Sequence, residues 1–345
     1  MFPLNAWYVA AMPDEVAQAP LGRRICDLPI AFWRDAQGQV QAVEDFCPHR
    51  GAPLSLGFVR DGQLVCGYHG LAMGGDGKTV SMPGQRTRGF PCARAYPVAE
   101  RYGFIWVWPG EAAKADVNAI PVPLWHAQEG WAYGGGLYHM PCDYRLLVDN
   151  LMDLTHETYV HASSIGQKEI DEAPVATQLL PSGQVITERR MGGIHAPPFW
   201  QAAMTANGLD PQAKVDRWQV CRFVPPSNVL IDVGVALEGQ GGFDAPEHAK
   251  VASVVVDYIT PESATSCWYF WGMARHFKPE DTALTDAIRE GQGKIFAEDM
   301  EILRRQQENL LRWPDRALLK LNIDAGGVQA RKIIDQMLAA EAPQG

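Results

Sequence analysis

Short apolar runs separated by turn-forming residues fill the first third of the chain. Strand-like runs lie at 7–10, 30–33, 40–43, 64–66 and 104–108. Clusters of Gly, Pro and Asp separate these runs, as expected for turns between strands. The pattern predicts a small antiparallel β domain over residues 1–118.

The rest of the chain, residues 119–345, combines helical and strand patterns. A helical pattern over 140–161 is built on Leu147, Leu151 and Leu154. Alternating strand patterns follow at 218–223, 229–236, 251–259 and 267–273, and helical patterns at 282–313 and 328–340. This order predicts a curved antiparallel sheet packed against long helices, so the overall fold class is α+β.

Composition restricts the classes of partner. The 345 residues are enough for two domains. A net charge of −10 repels nucleic-acid phosphates and anionic lipids. The chain has no apolar run long enough for a spanning helix, and its first residues lack the features of a signal peptide. We therefore expect a cytoplasmic protein without nucleic-acid or membrane partners.

Two short segments each pair one cysteine with one histidine. DFCPHRGAPL supplies Cys47 and His49, and VCGYHG supplies Cys66 and His69. A zinc site can also use two Cys and two His, but zinc loops usually pair Cys with Cys and His with His. A Rieske [2Fe–2S] cluster instead needs two His in place of two Cys on one of its irons. The mixed loops favour this cluster over zinc or a chance clustering.

The other five cysteines lack a His or Cys at ligand spacing. They are interpreted as small core residues: Cys26, Cys92, Cys142, Cys221 and Cys267.

A second group of polar residues lies in VDNLMDLTHETYVH. On a helix, Asn150, Asp153 and His156 would form one ridge, because they are three residues apart. His161 follows His156 by five residues, which puts the two rings about 140° apart on an unbroken helix. Both could bind one metal only if the helix distorts or ends between them. The β-branched residues Thr158 and Val160, which lie between the two histidines, favour an end of the helix there.

The long C-terminal helix contains a third candidate ligand. Asp299 lies near the middle of its apolar stripe, which contains Ile288, Ile295, Ile302 and Leu310. A buried carboxylate needs a partner, which could be a metal or a hydrogen-bonding neighbour such as Gln292. Two His and one carboxylate form the facial triad of non-haem Fe(II) oxygenases. Glu290, Glu298 and Glu301 fall to the side or on the far face, where water can solvate them.

These motifs resemble those of the Rieske non-haem iron oxygenases. The similarity extends from NAWYVA through SMPGQ and FWGMAR to LNIDAGGVQ, and is closest to members that demethylate vanillate. Leu71 departs from the pattern, because many members carry Trp after the second HG. The resemblance implies an N-terminal Rieske domain and a helix-grip-like catalytic domain.

The resemblance also implies roles for the site residues. Cys47 and Cys66 would hold the buried iron of the cluster, and His49 and His69 the outer one. Mononuclear Fe(II) would be held by His156, His161 and Asp299. Asp153 would bridge His156 to His69 of the neighbouring subunit, which implies a head-to-tail homotrimer. Asn150 resembles an Asn found near the iron in the demethylase branch, and a structural hydrogen bond is the alternative role for it.

The function implied is that of the terminal oxygenase in a two-component aromatic O-demethylase. It would use O₂ as co-substrate and convert vanillate to protocatechuate and formaldehyde. A separate flavin- or ferredoxin-type reductase would oxidise NAD(P)H, because this chain has no dinucleotide fingerprint. The alternatives are another methoxybenzoate or aryl carboxylate as substrate, a non-catalytic Rieske electron carrier, and a zinc-stabilised binding module.

An aromatic acid substrate needs a donor for its carboxylate. The strand at 218–223 places Trp218, Val220 and Arg222 on one face. The candidate donors are Arg190, His195, Arg217 and Arg222, and solvation at the surface is the alternative, favoured role for any one of them.

Overall fold

The computed structural model describes residues 1–123 and 129–342. Its chain divides into two compact units. The first comprises Met1–Val122, the short segment Thr260–Ala264 and the C-terminal residues from Glu341 onwards. The second comprises the chain from Pro123 to Ile259 and Thr265–Ala340. The predicted second domain also included 124–128 and 343–345, which lie outside the described residues.

The first unit contains three small sheets. Their orders are β1-β10-β9, β2-β3-β4 and β5-β6-β7-β8, with antiparallel neighbours. The strands are β1 (Tyr8–Ala11), β2 (Leu21–Ile25), β3 (Leu28–Arg34), β4 (Val40–Glu44), β5 (Phe58–Arg60), β6 (Gln63–Val65), β7 (Ala72–Met73), β8 (Thr79–Ser81), β9 (Val98–Arg101) and β10 (Phe104–Val107). Short 3₁₀ helices lie at Pro13–Glu15, Leu54–Leu56, Ala112–Lys114 and Val117–Ala119.

The second unit is built on a seven-stranded sheet. Its order is β11-β17-β16-β15-β14-β13-β12. β11 pairs antiparallel with β17, and the successive pairs from β12 to β16 are also antiparallel. The strands are β11 (Ala132–Met140), β12 (Val175–Leu179), β13 (Val185–His195), β14 (Lys214–Val224), β15 (Asn228–Leu237), β16 (Lys250–Ser263) and β17 (Ser266–Arg275).

Helices accompany this sheet. They are α1 (Tyr144–Leu151), α2 (Glu157–Val160), α3 (Glu169–Glu172), α4 (Pro198–Ala206), α5 (Thr282–Arg312) and α6 (Ala325–Glu341), with 3₁₀ helices at Gly242–Asp244, Glu247–Ala249 and Asn322–Asp324. α5 packs against β11 and β17. The predicted α+β class, with an antiparallel first domain and a sheet-and-helix second domain, is confirmed.

The helix predicted over 140–161 is wrong in its extent. β11 continues to Met140, and the side chain of Asp143 caps α1 by accepting a hydrogen bond from the backbone of Arg145. The helix then ends at Leu151. Asp153 accepts hydrogen bonds from the backbone N–H and the hydroxyl of Thr155, both at 2.7 Å. A side chain that satisfies nearby backbone donors in this way competes with helix formation.

The buried stripe of α5 also differs from the predicted one. Ile302 was placed in the stripe but is 49% exposed. The buried positions are Gln292, Gly293, Ile295, Phe296, Asp299, Leu303 and Gln307. Asp299 is therefore buried as expected, although its stripe is rotated relative to the predicted one.

Among the described residues, no helix combines the length and apolar character that crossing a membrane requires.

Candidate functional site

The two Cys-His loops of the first unit fold into equivalent turns. In one, Cys47 N–H donates to Ala52 and the Cys47 carbonyl accepts from Gly51. In the other, Cys66 N–H donates to Leu71 and the Cys66 carbonyl accepts from Gly70. Both glycines have positive φ, of 69° and 75°, which a side chain would disfavour.

The cysteines and the histidines of these two loops differ in burial. Cys47 and Cys66 are buried in one apolar cluster with Trp33, Leu64 and Leu71. His49 and His69 are exposed, and their ring centroids are 4.6 Å apart. Leu71, the departure from the family pattern, therefore packs in the core beside the cysteines.

The cysteine pair fits a metal cluster. Burial raises the pKa of the Cys47 thiol, and the adjacent Cys66 adds to this effect, while the backbone N–H groups of His49 and Arg50 oppose it. Two buried thiols become thiolates readily only if a cation offsets the cost. Buried sulfurs, backbone donors and two outer imidazoles together match the ligand set of a Rieske cluster.

The second unit brings His156, His161 and Asp299 together. One potential ligand atom from each lies within 4.8 Å of the others. Nε2 of His156 is 3.6 Å from Oδ1 of Asp299, and Nε2 of His161 is 3.3 Å from Oδ2. The histidines occupy the N-cap and C-cap positions of the one-turn helix α2. This short helix resolves the problem of their five-residue spacing, because no continuous helix holds the two rings apart.

The outer nitrogen of each ring faces a carboxylate. His161 Nδ1 lies 2.7 Å from Oε2 of Glu298, and His156 Nδ1 lies 3.8 Å from Oδ2 of Asp153. Burial favours neutral His161, but Asp299 and Glu298 outweigh it and raise the pKa of this ring. Burial likewise opposes ionisation of Asp153, yet the nearby His156 ring and the hydrogen bonds from Thr155 lower its pKa. The concentration of negative charge around two imidazoles fits a bound cation.

Asn150 contacts the same carboxylate. It lies in the last turn of α1, and its side-chain N–H₂ donates to Oδ1 of Asp299 at 3.0 Å. The side-chain oxygen of Asn150 is buried without a hydrogen-bond partner in the described part of the chain. Asn150 therefore fixes one oxygen of Asp299 and has an unused acceptor.

A cavity in the second unit contains the triad on its wall. Most of the wall is apolar, formed by Leu151, Leu154, Ile165, Phe199, Trp200, Ile231, Val233, Val255, Met273, Ile295 and Phe296. The polar residues on the wall are Asn150, Asp153, His156, Glu157, His161, Arg217, Gln219, Gln292 and Asp299, with Cys221 beside them.

Comparisons with known proteins agree with this geometry. The Rieske [2Fe–2S] domain family matches residues 6–98, and the family described as the vanillate O-demethylase oxygenase C-terminal domain matches residues 140–340. The vanillate O-demethylase oxygenase subunit of Pseudomonas sp. (strain HR199 / DSM 7063) is 67% identical over 341 residues, covering 99% of this chain and 96% of the relative. The chain belongs to the vanillate O-demethylase oxygenase family.

More distant members share the whole architecture. The dicamba O-demethylase oxygenase component of Stenotrophomonas maltophilia is 34% identical over 99% of both chains. A crystal structure of dicamba monooxygenase bound to 3,6-dichlorosalicylic acid matches with a TM-score of 0.91 at 33% identity, covering 99% of each chain. Another contains non-haem iron and dicamba, with a TM-score of 0.84. Membership of this family makes the chain a Rieske-type monooxygenase with a [2Fe–2S] cluster and mononuclear iron.

Of the four candidate carboxylate donors, only Arg217 lines the cavity. Arg217, Gln219 and Cys221 share the cavity-facing side of β14, so the predicted face with Arg222 was the wrong one. Arg190 is exposed and pairs with Glu188, and His195 is also exposed.

Sequence reasoning also misjudged two side chains and missed a third. Glu298 was assigned to a solvated side of α5 but contacts His161. Glu157, which directly follows His156, is buried against two arginines, and no sequence signal marked this pairing. Cys92 is exposed rather than a core residue, whereas the other four non-ligand cysteines are buried.

Proposed function

We propose that this chain is the terminal oxygenase of a two-component vanillate O-demethylase, and that it converts vanillate to protocatechuate and formaldehyde. Hydroxylation of the aryl methoxyl group gives a hemiacetal, which collapses to the phenol and formaldehyde. The second oxygen atom of O₂ leaves as water after uptake of two electrons and two protons. The observation that carries the proposal is the triad on the wall of an apolar cavity, in a chain two-thirds identical to a vanillate O-demethylase oxygenase subunit.

The cluster ligands are Cys47, His49, Cys66 and His69 in this proposal. The cysteines hold the inner iron, because they are buried, and the histidines hold the outer iron, because they are exposed. Imidazole ligation raises the cluster potential above that of an all-thiolate ferredoxin. The exposed histidine edge suits electron entry from a separate reductase.

The mononuclear iron ligands are His156, His161 and Asp299. When bound, this iron supplies the O₂ chemistry for hydroxylation of the substrate. The chain contributes orientation: Glu298 holds the outer nitrogen of His161, Asp153 faces that of His156, and Asn150 holds one oxygen of Asp299. The apolar wall excludes water and accepts an aromatic ring.

The partners in this proposal are a flavin- or ferredoxin-type reductase, which oxidises NAD(P)H, and further copies of this chain in the cytoplasm. We assign Asp153 as the bridge from His156 to His69 of the neighbouring subunit in a homotrimer. Both ends of this bridge have solvent-exposed surface: His69 is exposed, and the Asp153 side chain is 30% exposed. The relatives named as oxygenase subunits or components support a separate reductase.

A reconstituted assay tests the substrate. The protein, a compatible reductase, NADH and O₂ should convert vanillate to equal amounts of protocatechuate and formaldehyde. A panel of other methoxybenzoates and a matched reaction without this chain serve as controls. NADH oxidation without formaldehyde from vanillate, together with demethylation of another panel member, would reassign the substrate.

A further inference from the structure

Four buried polar side chains form one network beside the cavity. Glu157, Arg189, Arg217 and Gln219 are each at most 4% exposed. Gln219 donates to Oε1 of Glu157 at 2.5 Å, and its own oxygen accepts from Arg189. We call these four residues the buried arginine cluster.

The buried arginine cluster contains more positive than negative charge. Glu157 is the only carboxylate of the described residues within ion-pair distance of its arginines, with Nη2 of Arg189 at 3.2 Å and Nη2 of Arg217 at 3.4 Å. Two guanidinium groups therefore share one carboxylate. An uncompensated buried charge is costly, and an anion that enters the site reduces this cost. Burial lowers the pKa of Arg217 to about 10 even though Glu157 opposes this shift, which agrees with incomplete compensation.

Arg217 is the arginine of the buried arginine cluster that lies at the cavity, where an anionic ligand can bind it. It is the only lysine or arginine among the described residues that line the cavity. Its Nη1 donates to the carbonyl of Ile165 and to the side chain of Gln167. Its Nε has no hydrogen-bond partner among the described residues, and Nη2 has only the 3.4 Å contact with Glu157.

The edge formed by Nε and Nη2 is suited to a carboxylate. Elsewhere in the chain, Arg145 uses this edge to bind Asp143, and Arg331 uses it to bind Asp149. Bidentate pairs of this kind combine charge with a fixed planar geometry. On Arg217, the Nε–H group of this edge has no acceptor among the described residues, so the edge can donate to a ligand.

The arrangement of charges also orients an anionic ring. Asp299 lies on α5, which packs against β11 and β17, whereas Arg217 lies on β14. β14 is three strand positions from β17 in the sheet, or about 14 Å at the usual strand spacing. An aryl carboxylate is repelled by Asp299 and attracted by Arg217. Its methoxyl substituent is then free to approach the triad.

We propose that Arg217 is the specificity-determining residue that binds the carboxylate of an aromatic acid substrate through its Nε and Nη2 atoms. Glu157 and Arg189 are positioning residues that hold this guanidinium in place. The inference rests on the proposed function and deepens it, because it explains why the substrate is an aryl carboxylate.

Arg217 also has a structural role that the test must separate. Its bonds to Ile165 and Gln167 fasten the segment that follows His161. Loss of these bonds would weaken every ligand alike. Loss of a carboxylate contact would weaken only ligands that carry a carboxylate.

The first arm of the test uses the wild-type holoenzyme, without reductant, and compares binding of vanillate with binding of its uncharged amide, vanillamide. A charged hydrogen bond of typical strength predicts about 10- to 150-fold tighter binding of vanillate. Equal affinities for the two ligands would overturn the proposal without any variant.

The second arm uses Arg217→Gln and Arg217→Lys, with Arg190→Gln as a matched control on the exposed face of the neighbouring strand. Arg217→Gln should weaken vanillate binding much more than vanillamide binding and so remove most of the preference for vanillate, because any weakening from the lost bonds to Ile165 and Gln167 applies to both ligands. Arg217→Lys should keep part of the preference, because it keeps the charge but loses the planar fork. Arg190→Gln should match the wild type. Equal weakening of both ligands would show a purely structural role, and Arg217→Lys decides the matter if Arg217→Gln does not fold.

Turnover distinguishes failure of this inference from failure of the proposed function. If the wild type binds carboxylates selectively but does not demethylate vanillate, the proposed reaction is wrong and the carboxylate site stands. If it demethylates vanillate without preferring vanillate to vanillamide in binding, the reaction stands and the assignment of Arg217 is wrong.

Discussion

Oε2 of Glu298 lies 2.7 Å from Nδ1 of His161, on the side of the ring opposite to Asp299. Consecutive residues of α5 therefore contact both nitrogens of one imidazole. Ser164 also places its hydroxyl 3.3 Å from the same Glu298 oxygen. A carboxylate on the outer nitrogen fixes the tautomer and orientation of a metal-ligating histidine and increases its basicity.

Substitution Glu298→Gln should weaken the mononuclear site without affecting the cluster. The amide keeps the size of the side chain but removes the negative charge behind His161. Iron affinity at this site should fall about 10- to 100-fold, as is typical for loss of such a partner. Iron titration of the purified protein measures the effect, and the visible spectrum reports the cluster. Glu290→Gln, an exposed change on the same helix, is the control, and unchanged affinity in Glu298→Gln would refute the role of the carboxylate.

Substitution Asp299→Ala should remove the mononuclear iron and leave the Rieske spectrum intact. Asp299 is the only carboxylate whose oxygens approach the Nε2 atoms of both histidines among the described residues. Metal analysis should show the loss of one iron atom per chain. Retention of all iron would show that Asp299 is not a ligand.

Substitution Asp153→Ala should retain both metal centres but abolish turnover. Asp153 contacts Thr155 and faces the outer nitrogen of His156, so its removal leaves the proposed iron ligands in place. Reduction of the cluster by dithionite should still occur, while substrate-dependent reoxidation should slow by at least about tenfold. Near-normal turnover with both metals present would exclude Asp153 as the bridge between centres.

Substitution Asp257→Asn should change how stability depends on pH. Asp257 is fully buried, and one of its oxygens accepts a hydrogen bond from the Tyr269 hydroxyl at 2.6 Å. Burial raises its pKa to about 8, although the bond from Tyr269 opposes this. The native state therefore keeps a proton that the unfolded chain loses near pH 4, and stability falls as pH rises between these values, by at most about 1.4 kcal/mol per pH unit.

The amide cannot ionise, so this contribution disappears in Asp257→Asn. The variant's Tm minus the wild-type Tm should increase from about pH 5 to about pH 8 and then level off. The exposed change Asp286→Asn should show no such trend. A difference in Tm that does not vary with pH would show that Asp257 ionises at its ordinary pKa.

The sequence predicted those elements of the fold for which its separate signals agreed. The apolar run at 229–236 lies within β15, and the periodic segment at 282–313 corresponds to α5, because length and periodicity agree in both. The extent of α1 was wrong because Asp153 forms a local turn that periodicity does not report. Boundaries set by a single side chain are therefore less predictable than the elements themselves.

The candidate sites likewise contain some features that the sequence predicted and others that it did not. The Cys-His loops and the pair His156 and His161 were visible from residue type and spacing. The cavity-facing side of β14 was not, because Arg217 and Trp218 are both buried and alternation cannot rank two buried faces. The contact between Glu298 and His161 joins residues far apart in the chain, so only the folded structure reveals it.

A single-turnover experiment tests the central claim most directly. The protein is fully reduced, freed of reductant and mixed with vanillate and O₂ in the absence of any reductase. Equal amounts of protocatechuate and formaldehyde should form as the cluster is reoxidised, and Asp299→Ala should form neither. Reoxidation of the wild-type cluster without protocatechuate would contradict the conclusion that this chain carries out vanillate demethylation.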